Sequence, residues 1–262
     1  KASSAAPWQG GQILPSENGG WETQAPSAIP QLDGERNPHE LSTAEMQVII
    51  KSFVESARRA KTIGIDGIEL HAAHGYLLHQ FLSPIANQRQ DQYGGSLENR
   101  MRFVLELFSA VRKEWGGVLG VRLSASDWIE NGWSLEESVE LTQRLKSLGC
   151  DYIHVSSGGI SPKQKIQLGP NYQVPFAKEI KQKTGMATMA VGLITEPIQA
   201  EEILQNHEAD LIALARAFLY KPRWGWEAAA ALQGHVSASP QYWRCLPREA
   251  QAVFADVKMG QR

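Results

Sequence analysis

The spacing of apolar residues divides the chain into an irregular beginning and a regular remainder. Residues 1–40 are rich in Ser, Gly, Pro and Gln and keep no apolar period, so we predict a long loop there. From Ser42 onward, amphipathic stretches alternate with short apolar runs. This alternation predicts helices and buried strands in turn, which is typical of right-handed βαβ units and a parallel sheet.

Capping signals and apolar runs locate the elements. Ser42-x-x-Glu45 and Ser134-x-x-Glu137 are capping boxes that predict helix starts, and Thr195 predicts a third start. The predicted strands are residues 65–70, 118–123, 152–155, 187–191 and 210–214. Polar or small residues lie just after the C-termini of these strands, namely His71, Ser124, Ser156, Gly192 and Arg216.

Chemically useful residues at strand ends are typical of a (β/α)8 barrel, whose site lies at the carboxyl ends of its strands. We therefore predict an α/β fold, a single TIM-barrel domain over residues 1–262. It comprises a rim loop over 1–40, βα units 4 to 8 over 41–236, and a C-terminal tail over 237–262. Five strands cannot close a barrel of eight, so roughly three N-terminal βα units are expected to be absent.

Charge and composition limit the partners and the cellular location that the sequence predicts. A formal net charge of −2, with no block of five like charges, gives no electrostatic attraction for nucleic acid or an anionic membrane. The longest uncharged apolar stretch, residues 186–195, is too short to span a bilayer, and no signal peptide opens the chain. The 2 cysteines exclude a disulfide framework. These observations predict a soluble cytoplasmic protein.

The segment after the first predicted strand carries His71, His74 and Tyr76. Two imidazoles can donate hydrogen bonds to one oxygen and polarise a carbonyl, but these two converge only if the chain turns after His71. A tyrosine is protonated at neutral pH and can pass a proton to carbon. Two alternatives stay open: a pair of structural histidines, or a metal site completed by Asp91 or Glu98.

Further candidates follow the later strands. Arg122 lies inside a strand, which suggests an anionic ligand within the barrel or an internal ion pair with Glu69. Gly192 and the pair Ala215-Arg216 stand where such barrels bind a phosphate through backbone N–H groups and an arginine. Neither a G-x-G-x-x-G nor a P-loop motif is present, which disfavours other nucleotide-binding modes.

Longer motifs carry a specific resemblance. They are Gly67-Ile-Glu-Leu-His71-Ala-Ala-His74-Gly-Tyr76, Asn87-x-Arg89-x-Asp91-x-Tyr93-Gly-Gly, Val121-Arg122-Leu-Ser, Ala190-Val-Gly192 and Gln241-Tyr-Trp-Arg244. Together they resemble the old yellow enzyme family of flavin ene-reductases, in its thermophilic-like (class III) bacterial branch. From its residues alone, the last motif indicates a surface tail with a packed aromatic.

The resemblance implies an FMN-dependent barrel enzyme reduced by NADPH or NADH. His71 and His74 would hold the carbonyl oxygen of an activated alkene, hydride would pass from reduced flavin N5 to Cβ, and Tyr76 would protonate Cα. Arg122 would lie at the flavin N1/O2 edge. Gly192, Ala215 and Arg216 would hold the phosphate, and no metal is implied.

The tail carries a further implication. Arg244 resembles an arginine that enters the substrate site of a neighbouring subunit, which implies a homodimer or higher homo-oligomer.

The chain also departs from the family pattern. Ala215 stands where the family has glycine, and the first three βα units, which contribute flavin contacts, have no counterpart. The alternative is therefore an incomplete barrel that has no activity alone and acts as an assembly partner. Relatives that reduce dienoyl-CoA or oxidise amines use a cysteine-held iron–sulfur centre, which Cys150 and Cys245 cannot supply.

Overall fold

The computed structural model describes residues 3–255, with the side chains at 248, 249 and 251 left aside. The rest of the predicted loop and tail, residues 1–2 and 256–262, lies outside the described residues. The helices are α1 (Thr43–Thr62), α2 (Leu77–Leu82), α3 (Leu97–Glu114), α4 (Leu135–Ser147), α5 (Val174–Thr184), α6 (Pro197–Gln205), α7 (Arg216–Tyr220) and α8 (Trp224–Ala231). The strands are β1 (Gln24–Ala25), β2 (His39–Glu40), β3 (Gly67–Ala72), β4 (Val118–Ser124), β5 (Tyr152–Ser156), β6 (Thr188–Ala190) and β7 (Leu211–Ile212).

The main sheet has five parallel strands in the order β3-β4-β5-β6-β7. Each strand therefore lies beside the one that precedes it in the chain, with helices in the connections. A doubly wound sheet reverses direction at a switch point, whereas a (β/α)8 barrel adds its strands in sequence around the axis. The order confirms the predicted fold class, part of a TIM barrel.

The two faces of this sheet differ in polarity. Leu70, Val121 and Ile153 belong to a core shared with the helices, and side chains alternate along each strand. The register aligns His71 with Arg122 and Arg122 with His154, so these three share the opposite face. A strand that buries one face against helices and lines a barrel with the other accommodates such polar residues.

Helix starts and strand limits differ in part from the predictions. Both capping boxes are present, at Ser42 with Glu45 and at Ser134 with Glu137. The prediction at Thr195 is wrong, because Glu196 caps α6 and Pro197 is its first residue. The strand predicted over 65–70 begins and ends two residues later, so His71 lies within β3 rather than after it.

The predicted loop over residues 1–40 contains regular structure. β1 and β2 pair in parallel, which the pattern did not predict because each has only two residues. Arg89 anchors this segment: its Nη1 donates to the carbonyls of Pro26 and Leu41 at 2.9 and 2.6 Å. The Asp91 carboxylate accepts from the same guanidinium at 2.6 Å. The polar 87–93 motif thus attaches the N-terminal segment to the rest of the fold.

Near the C-terminus, an arginine packs between two rings. The guanidinium carbon of Arg223 lies 4.4 Å from the ring centres of Trp226 and Tyr242. This cation–π contact attaches the segment that leads to Arg244 onto α8.

The two cysteines are both free; Cys150 is buried and Cys245 exposed. Within residues 3–255, no helix combines the length and the apolarity that crossing a bilayer requires.

Candidate active site

The turn after β3 brings the two predicted histidines together. His74 has φ 58° and Gly75 has φ 73°, so the chain reverses here. The His74 N–H donates to Ser124 Oγ at 3.0 Å. A Cβ at Gly75 would lie 2.1 Å from the carbonyl oxygen of Gly159, so only glycine fits this close approach.

A buried histidine and carboxylate fix this turn from behind. The Gly75 N–H donates to His79 Nδ1 at 2.9 Å, so the ring proton of His79 is on Nε2, 2.8 Å from Asp127 Oδ1. Asp127 Oδ2 also accepts from the Ser83 hydroxyl and from the Trp133 N–H, at 2.6 and 2.7 Å. Both His79 and Asp127 are fully buried. His79 therefore supports the turn.

The turn places the rings of His74 and Tyr76 close to the ring of His71. The ring centres of His71 and His74 are 5.2 Å apart, and those of His71 and Tyr76 are 5.5 Å apart. His71 and Tyr76 line a cavity of about 660 Å³, large enough for a small organic ligand. Trp21 and Ile29 of the N-terminal segment and Ile160 of the loop after β5 form its other walls.

Burial and a neighbouring cation keep His71 neutral. Desolvation, then the positive charge of Arg122, lowers the pKa of the His71 imidazole below its ordinary value of 6.5. Desolvation lowers the pKa of Arg122 as well, although Glu69 opposes that shift. A neutral imidazole has one N–H, so His71 can donate one hydrogen bond to an oxygen in the cavity.

Glu69, the ion-pair partner that the sequence suggested for Arg122, pairs with His154 instead. The Glu69 carboxylate lies 3.1 Å from His154 Nδ1 and attracts Arg122 only through space. Burial alone would raise the pKa of Glu69, but the hydrogen bond and charge of His154, together with Tyr152 and the charge of Arg122, outweigh it and lower the pKa. Arg122 Nε is buried and has no hydrogen-bond partner among residues 3–255. A buried donor of this kind fits an acceptor supplied by a ligand.

The predicted phosphate residues lie around one tyrosine. Gly192 has φ 119°, and a Cβ there would be 2.5 Å from Gln173 Nε2 and 2.9 Å from the Tyr172 ring. Burial raises the pKa of Tyr172, while the charge of Arg216 acts against it. Arg216 is the first residue of α7 and is exposed, and Ala215 caps that helix. The group is a candidate anion site.

The remaining candidates stay apart from this arrangement. Arg244 is exposed and follows the turn at Pro240–Tyr242. Asp91 is engaged by Arg89, and Glu98 lies 3.9 Å from Arg102. In the part of the chain that the structure describes, no three His, Cys, Asp or Glu side chains are grouped closely enough to hold a metal ion.

The sequence did not indicate the supporting roles of three residues: Asp127, Ser156 as a partner of the His74 ring, and Gln173. Ser156 Oγ is 2.6 Å from His74 Nε2, and Gln173 Oε1 accepts from the Ser157 hydroxyl at 2.6 Å. His74 and Ser156 are 82 residues apart in the chain, so no local sequence pattern predicts their contact. The position of Ser156 at a strand end was the one available signal.

The strand order and the polar carboxyl edge define a (β/α)8-barrel protein with a ligand site at that edge. Within that class the chain belongs to the NADH:flavin oxidoreductase / NADH oxidase family, whose sequence profile matches residues 8–234. The membership confirms the resemblance to flavin reductases, and flavin is the cofactor type in the family's description.

Individual relatives agree. The NADPH dehydrogenase of Geobacillus sp. (strain WCH70) is 51% identical over 223 residues, and that of Bacillus subtilis (strain 168) is 44% identical over 220 residues. These alignments cover 85% and 84% of this chain. The chain spans 65% of the length of each of these curated relatives.

Solved structures share this fold. A 2-naphthoyl-CoA reductase in complex with 2-naphthoyl-CoA matches with a TM-score of 0.74 and 26% identity, over 82% of this chain and 34% of that one. A morphinone reductase variant in complex with tetrahydroNAD matches with a TM-score of 0.67 and 27% identity, over 80% and 60% of the two chains.

Proposed function

We propose that this chain forms the greater part of the active site of an FMN-dependent ene-reductase that uses NADPH or NADH. Its substrates would be activated alkenes such as α,β-unsaturated carbonyl compounds. The rings of His74 and Tyr76 lie close to that of His71, and His71 and Tyr76 line one cavity; this arrangement carries the proposal. Family membership and NADPH dehydrogenase relatives support the flavin and the nicotinamide donor.

The three side chains have separate tasks. His71 and His74 each donate a hydrogen bond to the carbonyl oxygen, which draws electron density toward that oxygen and stabilises negative charge there. Tyr76 lies beside His71 and gives its hydroxyl proton to Cα. The apolar walls around Trp21 and Ile160 keep the alkene against these groups and exclude water.

The residues present fit an FMN molecule. Arg122 Nε, which is buried and has no partner among the described residues, would donate to the N1/O2 edge of the flavin ring. Gly192 has no side chain to fill the space beside Gln173 and Tyr172. Backbone N–H groups at Gly192 and Ala215, with the Arg216 guanidinium, would hold the phosphate. When bound, reduced FMN supplies the hydride that adds to Cβ of the alkene.

The first experiment is a visible spectrum of the purified protein together with its intact mass. A flavin band that NADPH bleaches and cyclohex-2-enone restores supports the proposal. Colourless protein that takes up no added FMN contradicts it for this chain. Mass above 29.0 kDa would reveal further sequence in the purified protein.

The second candidate is an incomplete barrel that serves as an assembly partner. It is favoured by β3 and β7, which each have a neighbour on one side only within the described residues. Substituting His71→Ala separates the two hypotheses. Loss of turnover by about 10²–10³-fold with assembly unchanged supports the enzyme, because one oxygen-binding donor is lost. Unchanged turnover contradicts it.

The proposal extends to the quaternary structure. Arg244 would enter the substrate site of a second copy, so the working unit would be a homodimer or higher homo-oligomer. Its exposure and its attachment through the Arg223 contact to Tyr242 support this role. Mixing an Arg244→Ala protein with a His71→Ala protein tests it, since shared sites would restore part of the activity.

A further inference from the structure

Ser156 lies beside one ring nitrogen of His74. Its Oγ is 2.6 Å from His74 Nε2, at the carboxyl end of β5, and the serine is buried. An imidazole donates from one nitrogen only while it is neutral, so the partner of one nitrogen determines what the other can do. The contact with Ser156 therefore determines whether the other nitrogen of His74 donates a hydrogen bond to a ligand or accepts one from it.

The direction of this hydrogen bond follows from the neighbours of Ser156. Its hydroxyl has a single proton, and the alternative acceptor, Gln173 Oε1, is 3.4 Å away. That oxygen already accepts from the Ser157 hydroxyl at 2.6 Å. Gln173 Nε2 donates to the Val191 carbonyl at 2.9 Å, which fixes the amide with Oε1 toward the serines. The Ser156 proton is therefore best placed on the short contact to His74.

We propose that Ser156 is a positioning residue that donates to His74 Nε2 and so holds the His74 proton on Nδ1. The inference rests on the proposed function, in which His74 must donate to a substrate oxygen. In the opposite tautomer, Nε2–H would donate to Ser156 and leave Nδ1 as an acceptor. Two lone pairs would then face each other across the ligand contact.

The consequence is a preference for one class of ligand atom. With His71 neutral and His74 protonated on Nδ1, the pair presents two donors, so the bound oxygen must be an acceptor such as a carbonyl.

The test is the tautomer itself. Long-range ¹H–¹⁵N correlation spectra of holoenzyme labelled with ¹⁵N-histidine distinguish protonated from unprotonated ring nitrogens, and His74→Gln assigns the His74 signals. We expect Nδ1 protonated and Nε2 unprotonated at neutral pH. A wild-type ring with Nε2–H, or with both nitrogens protonated, overturns the proposal. This wild-type measurement decides the matter even if a variant fails to fold.

Two variants sharpen the result. Ser156→Ala removes the donor, so the His74 signal should shift toward the Nε2–H form. Ser138→Ala is the matched control, because Ser138 is also a buried serine but its hydroxyl contacts the Trp133 indole and the Ala125 carbonyl instead of His74. It should leave the tautomer unchanged. An unchanged tautomer in Ser156→Ala contradicts the proposal.

Ligand binding supplies a second readout. Cyclohex-2-enone titrated into oxidised holoenzyme should bind about 10-fold more weakly to Ser156→Ala, as expected for one neutral hydrogen bond. Equal affinity in the two proteins would count against the role of Ser156. If wild-type enzyme neither binds nor reduces the enone, the proposed function fails, while the tautomer is still measured on its own.

Discussion

The two halves of the main sheet hold their polar residues by different means. In the histidine half, β3–β5, strands of six, seven and five residues end in buried side-chain networks. In the phosphate half, β6, β7 and α7, the strands have three and two residues, and Leu219 and Tyr220 are 82% and 85% exposed. The histidine half is thus fixed by the protein's own hydrogen bonds. The phosphate half relies on a glycine, backbone amides and an exposed cation, which a bound anion would order.

The largest effect is expected from Asp127→Ala, which breaks the histidine half. It leaves His79, the Ser83 hydroxyl and the Trp133 N–H without their buried acceptor. We expect a loss of about 3–5 kcal/mol in the free energy of unfolding, measured by urea denaturation. Asp127→Asn keeps the shape and one acceptor and should lose less. A loss below about 1 kcal/mol would show that this network does not hold the turn.

Gly192→Ala tests the phosphate half through its backbone. The new Cβ would meet Gln173 and Tyr172 at a φ of 119°, so we expect about 1–3 kcal/mol of destabilisation and weaker FMN binding. Gly169→Ala is the control, because nothing lies within 4 Å of a Cβ there, and its effect should stay within about 0.5 kcal/mol. Equal effects at both glycines would contradict the assignment.

Arg216→Ala should separate binding from stability. The side chain is exposed, so the free energy of unfolding should change by less than about 0.5 kcal/mol. FMN affinity, measured by fluorescence titration, should fall about 10–100-fold because a charged hydrogen bond to phosphate is lost. Lys221→Ala removes a nearby cation that pairs with Glu227 and should leave the affinity unchanged. The same loss in both variants would indicate only a general charge effect.

The smallest effect concerns acid pH. Burial, then Arg122, lowers the pKa of His71, so the folded protein binds this proton less readily than the unfolded chain. The corresponding stability is complete above the unfolded value near 6.5 and is lost as pH falls through the lower folded value. From about pH 7 to about pH 5, the melting temperature of His71→Gln should therefore decline less than that of the wild type. Parallel declines would contradict this.

The order of the helices and strands could be predicted from the sequence because it depends on local interactions. Capping at Ser42 and Ser134 and the apolar runs of the five strands depend on residues close in the chain. The limits of β3 were misplaced because Ile65 is apolar yet exposed, whereas polar His71 pairs in register with Arg122 on the inner face. Apolar content alone could not distinguish these positions.

The candidate site was predictable only in its residue types. The spacing of His71, His74 and Tyr76 suggested oxygen binding, but convergence depended on a positive φ at His74. That conformation is held by Ser124, 50 residues after His74, and by Asp127, which acts through His79 and lies 48 residues after it. Contacts at such separations are products of the whole fold, and no single segment encodes them.

The contrast between the two cysteines has a practical consequence for chemical labelling. Burial raises the pKa of the Cys150 thiol to about 12, so little thiolate forms there at neutral pH, whereas Cys245 is exposed beside Arg244. An alkylating fluorophore would therefore mark the tail and report on its docking against a second copy. Iodoacetamide dyes suit this purpose better than maleimides, because a maleimide is itself an electron-poor alkene of the kind proposed as substrate.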